Sequence, residues 1–166
     1  MRISALILGF LLAGSCIVVA QGFTYNWANT FGSRAKGVGY GEMLDVDPAG
    51  NIYVLSEYNR TFDADPGPDS LQMTDAGGPT GLISKYQPNG ALIWVKPIYS
   101  EGYLDFGAMK VDAQGNVVVS GRFQQEVDAN PTLLNARLMQ SSSMDMFIAK
   151  YDSIGNLRWA DELNNA

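Results

Sequence analysis

The 166-residue chain contains no histidine and a single cysteine, Cys16. Without histidine there is no Ser–His triad, no imidazole proton shuttle and no Cys/His zinc site. Cys16 sits inside an apolar leader, so the remainder of the chain has neither a thiol nucleophile nor a disulfide staple. Helical periodicity is missing too, because no window after the leader sustains apolar residues at the 3.6 spacing. Basic residues are scarce: eleven Lys and Arg stand against seventeen Asp and Glu, a net charge of −6. An acidic surface repels nucleic-acid phosphates and anionic membranes, so no nucleic-acid partner is expected. Any chemistry is left to carboxylates, Lys, Tyr or a borrowed metal.

The leader has the shape of a secretory signal. Arg2 gives a basic start, residues 3–20 carry no charge, and "IVVA" precedes Gln21 with Val18 and Ala20 at the small-residue positions. Residues 1–20 are therefore expected to be removed, leaving a secreted or cell-surface chain that meets the membrane only during export. An uncleaved anchor would need a purer span than one diluted by Gly9, Gly14 and Ser15. "AGSC" resembles a lipobox, but Ala13 replaces the large aliphatic and the apolar run continues past Cys16, which argues against lipidation. Loss of Arg2 leaves ten basic against seventeen acidic side chains, a net charge of −7.

What is abundant after the leader is repetition, the feature to look for first in any chain. "VDPAGN" at 46–51 returns as "VDAQGN" at 111–116, "DADP" at 63–66 as "DANP" at 128–131, and "LISKYQPNGALIW" at 82–94 as "FIAKYDSIGNLRW" at 147–159. All three blocks keep a spacing of 65, and 14 of the 49 positions from 46 to 94 are identical to their partners. Trp27, Trp94 and Trp159 mark the same place in successive units.

Each unit reads as four short strands. In the first unit these are residues 42–47, 52–57, 81–86 and 91–97, with a polar stretch, 59–80, between the second and third. In the second they are 107–112, 117–123, 146–151 and 156–163. Asp47-Pro48-Ala49-Gly50 and Gln87-Pro88-Asn89-Gly90 carry type I turn chemistry, with a glycine able to take the left-handed conformation. Four antiparallel strands in tandem is the pattern of β-propeller blades, which stack four-stranded sheets about a channel. The expected fold is all-β: two four-stranded antiparallel blades, 42–97 and 107–163, within a partial propeller at 21–166.

These residues resemble the bacterial seven-bladed β-propeller (SBBP) repeat family. Its units follow "W…G…hVDxxGNhYVxGxFxxxxDFDPG…DhFhAKYDxxGNhxW", where h is hydrophobic. Here the first copy supplies Trp27, Val46-Asp47, Gly50-Asn51-Ile52-Tyr53-Val54, Phe62 to Gly67, Lys85-Tyr86, Gly90 and Trp94. The second supplies Val111-Asp112, Gly115-Asn116, Gly121, Phe123, Asp128, Asp145 to Asp152, Gly155-Asn156 and Trp159. It departs where Thr80-Gly81-Leu82 stands for Asp145-Met146-Phe147, and where Thr132 replaces Gly67. The resemblance implies a propeller fold and an exported setting. It brings no shared reaction, and hence no catalytic residue, cofactor or metal ligand.

The ring looks incomplete. Residues 23–31, "FTYNWANTF", align with a fourth strand, "GALIWVKPI", and so read as an orphan outer strand. Two blades fall below the roughly 4–8 of closed propellers. An open ring exposes apolar faces and strand edges, which invites self-association. The chain is expected to be the front of a longer propeller, to close a ring with three or four copies, or to stand as a two-blade solenoid.

Candidate sites are few. Asp63, Asp65 and Asp69 in "FDADPGPD" alternate as calcium ligands do, but Asp also caps tight turns, and Leu134 replaces the third acid in the second copy. Asp47 and Asp112 are expected to accept turn amides, and the tryptophans to pack between blades. Lys85-Tyr86 and Lys150-Tyr151 recur and look architectural. Tyr40 and Tyr103 are placed in loops entering each blade, on a rim suited to ligands. The non-repeated acids Glu42, Glu57, Asp69, Asp75 and Asp105 are the ones a carboxylate-based glycan hydrolase would need. The main expectation is a non-catalytic module for a protein or glycan partner. A glycan-acting fragment and a calcium-stabilised module are the rivals.

Overall fold

The computed structural model describes residues 39–75, 77–131 and 137–163, with residue 28 by itself. The leader, Cys16, Trp27 and the strand expected over 23–31 lie outside the described residues. Every regular element among those described is a β-strand.

The first unit runs β1 (Gly39–Val46), β2 (Ile52–Tyr58), a side hairpin of β3 (Thr61–Asp63) and β4 (Gln72–Thr74), then β5 (Thr80–Tyr86) and β6 (Leu92–Ser100). The second runs β7 (Leu104–Val111), β8 (Val117–Asp128), β9 (Leu138–Tyr151) and β10 (Leu157–Leu163). Pairing is antiparallel throughout, in the orders β1-β2-β5-β6 and β7-β8-β9-β10. The fold is thus two four-stranded blades. One corner stitches them together, where Tyr99 pairs with Asp128 and Ser100 with Val127.

The turns form as their residues dictate. Gly50, Gly90, Gly115 and Gly155 all take φ near +80°, at 82°, 87°, 79° and 82°. Each donates its N–H at 2.9 Å to the carbonyl three residues back. A Cβ is disfavoured at that φ, which is why glycine holds this place in four turns.

The polar stretch 59–80 is less irregular than expected. It holds the β3–β4 hairpin, and in the second unit the corresponding segments simply prolong β8 and β9 to 12 and 14 residues. Arg60 and Gln125, at equivalent places, both adopt positive φ, 65° and 73°, and bend the chain there. The repeated "KY" and "DA" motifs meet across this bend. Tyr86 donates to the Ala64 carbonyl at 3.2 Å and Tyr151 to the Ala129 carbonyl at 2.6 Å. Burial raises the Tyr86 phenol to about 12, so it stays a donor at all ordinary pH.

Strand alternation sorts each blade into two faces. Tyr53, Leu55 and Ile83 form the front of the first blade, and Met109, Val119, Phe147 and Ala149 the back of the second. All belong to one buried cluster. Phe147 lies edge-on to both Phe106 and Phe123, with centroids 6.0 and 6.2 Å away. The inner strands β1 and β7 lie against one another. A second cluster, Tyr58, Phe62, Ala64 and Leu82, fills the back of the first blade.

Candidate functional site

The densest set of polar groups sits where the blades meet. Asp47 follows β1, and its Oδ1 accepts the N–H of Ala49 at 3.0 Å and of Asn51 at 2.9 Å. Its Oδ2 accepts the Asn51 amide at 2.8 Å and the Tyr53 hydroxyl at 3.3 Å. Lys85 on β5 brings its ammonium to 3.7 Å from the same oxygen, over the Tyr53 ring at 4.9 Å. Trp94 stands edge-on to Tyr53 at 6.0 Å.

This constellation reaches across to the second blade. The single Tyr53 hydroxyl proton goes mainly to the Gly115 carbonyl at 2.9 Å, with Asp47 at 3.3 Å as the weaker arm of a bifurcated bond, and Lys85 and Trp94 both donate to the Ser153 carbonyl at 3.1 Å. Asp45 accepts the Val111 N–H at 2.9 Å, a bond that holds its carboxyl below the usual value. Burial pushes the Asp47 carboxyl up, but the Asn51 bonds, Lys85 and the Ala49 N–H together outweigh it, and the net shift is downward. Burial, then the nearby Asp47 charge, raises the Tyr53 phenol. A carboxylate, an ammonium and a phenol with every group bonded make a joint, and none is left as a poised acid or base.

The second blade repeats the set at its own open front. Asp112 accepts from Gln114, Asn116 and the Asn116 amide, and Lys150 lies 3.5 Å away. There the pair is 36 % and 32 % exposed, against 6 % and 9 % for Asp47 and Lys85. Trp159, expected between blades, is instead 42 % exposed, because no described blade covers that front. Trp94 meets the expectation.

The aspartates of the calcium-like loop cap turns. Asp63 accepts from the N–H groups of Asp65 and Leu71, at 3.2 and 3.0 Å, and from the Ser70 hydroxyl at 2.9 Å. Asp65 accepts from Gly67 at 2.8 Å, and Asp69 is exposed. Asp128 does the same work for Asn130 and Arg137, at 2.9 Å each. Among the described residues no group of three or more His, Cys, Asp or Glu side chains is placed to hold a metal ion.

Of the non-repeated acids, Glu42 and Asp105 each come within electrostatic range of Glu57. Asp105 is paired with Arg122, and Asp75 accepts from Gly77 and Arg60. Burial, followed by the charges of Glu42 and Asp105, raises the Glu57 carboxyl. The folded state therefore holds the Glu57 proton more tightly than the unfolded chain, and stability falls as pH rises through that titration. Glu57→Gln should raise the melting temperature at pH 7 by ~1–2 °C, a small gain because water screens a half-exposed group. The gain should vanish at pH 3.5, where glutamate is protonated in both states. Thermal melts of the two proteins at both pH values check this.

Tyr40 and Tyr103 are both exposed, at 59 % and 44 %. Tyr40 lies within β1, whose pairing begins at Gly39, and not in an entry loop as expected. It lines a small pocket of about 120 Å³ on the back of the first blade with Gly41, Val54, Ser56 and Phe62. A broader groove of about 770 Å³ passes Trp159, Arg137, Arg158 and Asn156. Its arginines are engaged, Arg137 with the Ala160 carbonyl at 3.0 Å and Asp161 at 3.3 Å, Arg158 with Asp152 at 3.7 Å.

Sequence reading missed Tyr53 as a tie between the blades, and the available signal was a break in the repeat, where Val118 stands at the matching position. The Ser153 carbonyl that receives Lys85 and Trp94 is backbone, so its residue type carried no signal.

Comparison with known proteins adds one relative. The chain is 27 % identical over 131 residues, 74 % of its length, to an uncharacterized WD repeat-containing protein of Acanthamoeba polyphaga mimivirus. It spans 9 % of that protein. WD repeats build four-stranded propeller blades, the unit found twice here. No family model matches the chain, so the resemblance to SBBP repeats rests on its motifs, and no solved structure matches it.

Proposed function

We propose that the chain is an exported β-propeller repeat module, a non-catalytic scaffold that presents blade surfaces to a protein or glycan partner. One observation carries this reading. The strongest chemical constellation, Asp47, Tyr53, Lys85 and Trp94, is spent on joining blade to blade and recurs in part at Asp112, Lys150 and Trp159. A catalytic set would be expected to break the repeat and leave a group unpartnered. Similarity to a WD repeat-containing protein supports the blade reading. The leader at 1–20 supports export.

Expression with its leader in a bacterial host tests the export half. The chain should leave the cytoplasm and begin at Gln21 on N-terminal sequencing; a cytoplasmic chain that retains Met1 sinks it. The glycan-hydrolase reading draws on the raised carboxyl of Glu57 beside Glu42 and Asp105. Turnover of a glycan panel by the purified chain, lost in Glu57→Gln, would replace the scaffold reading with that one.

A further inference from the structure

The two open faces differ from one another in the same way as the two joined faces, with the roles exchanged. We propose that the open front of the second blade docks onto the back of the first blade of a second copy, joining copies head to tail in the order first, second, first, second. This rests on the blade fold and not on export or scaffolding.

Continuity with the existing joint is the first support. On the open front, Trp159, Lys150 and Asp112 hold the places of Trp94, Lys85 and Asp47. The outer part of the back of the first blade is filled by the Tyr58, Phe62, Ala64 and Leu82 cluster, and only its inner part is open, where Leu44 and Val46 are 65 % and 47 % exposed. Their counterparts in the second blade are Met109, which is buried, and Val111, which packs against the interblade core.

Charge is the second. Asp45 and Lys110 occupy one repeat position on the inner strands, 3.6 Å apart across the joint. Head-to-tail docking sets Lys110 beside Asp45 of the partner subunit, so the sign alternates at every contact. Joining two second blades would set lysine on lysine, and two first blades aspartate on aspartate.

Shape is the third. Within the chain, Phe106 fills the space over Gly81, where a Cβ would come within 2.2 Å of the ring. At the open faces the sizes are swapped. The counterpart of Gly81 is Met146, 47 % exposed. The counterpart of Phe106 is Gly41, beside the 120 Å³ pocket, where a Cβ would meet nothing within 4 Å. A flexible methionine suits such an irregular gap. The wrong order would press Met146 onto Phe106 or leave glycine facing glycine. Head-to-tail contacts of this kind close into rings when the rotation allows, and two to four copies would give roughly 4–8 blades.

Native mass spectrometry and sedimentation of the purified chain test the proposal. The wild type should have the mass of two to four copies. Gly41→Phe should lower that mass two- to fourfold, to one copy, and Gly41→Phe with Met146→Gly should restore it by recreating the Phe–Gly pair. Should Gly41→Phe lose its cooperative melt, Met146→Glu at an exposed position should give the monomer instead. A monomeric wild type at high micromolar concentration overturns the docking. An assembly that survives both single changes overturns it too. A monomer with an intact melt leaves the two-blade fold standing.

Discussion

Asp47→Ala is expected to cost about 3–5 kcal/mol, because it strands Lys85 as a buried, unpaired ammonium. Asp112→Ala, the same change 65 positions on, should cost clearly less, because only turn bonds and a solvent-screened ion pair are lost. Sequence gives the two aspartates closely similar turns, and the neighbouring blade is what separates their burial. Denaturant midpoints of the single variants, measured at dilutions where the chain is monomeric, decide the matter. Equal losses would mean that the second blade does not cover Lys85. The pH dependence has a definite sign as well. The Asp47 carboxyl is lowered on folding, so its contribution is complete above the unfolded value of about 3.9 and is lost as pH falls through the lower folded one. Wild-type stability should decline below pH 4, and the Asp47→Ala variant should decline less.

The second large effect is expected at Phe147. Truncation to alanine removes a fully buried ring that touches Phe106 and Phe123, at a cost of about 3–5 kcal/mol and about 10–15 °C in melting temperature. Met146→Ala, one residue earlier on the opposite face, should change stability by less than about 0.5 kcal/mol. Thermal melts of each variant, at dilutions where the chain is monomeric, read the difference. Similar losses would place both side chains in a core, contrary to the strand alternation that puts Met146 on an open face.

Much of the blade was legible because turns and strands are local. Asp, Pro and Gly at fixed offsets set the hairpins, and the glycines take the left-handed conformation that their spacing implies. Even the pairing of "KY" with "DA" was present as co-repetition, although nothing in one strand says that Tyr86 bonds to Ala64. The β3–β4 hairpin escaped notice because three-residue strands carry too little period to register. Its counterpart merges into β8 and β9, which removes the repeat as a guide.

The open and covered faces were not legible. Trp94 and Trp159 have the same motif and the same strand position, yet one is partly buried and the other 42 % exposed. Local sequence determined the strands, the turns and the number of repeated units, since each depends on residues a few positions apart. The tertiary structure alone decided which aspartate is buried, which tryptophan donates to Ser153 and which acids gather around Glu57. Those outcomes depend on which blade lies against which, and in a repeat that is fixed by packing between units whose motifs are nearly the same.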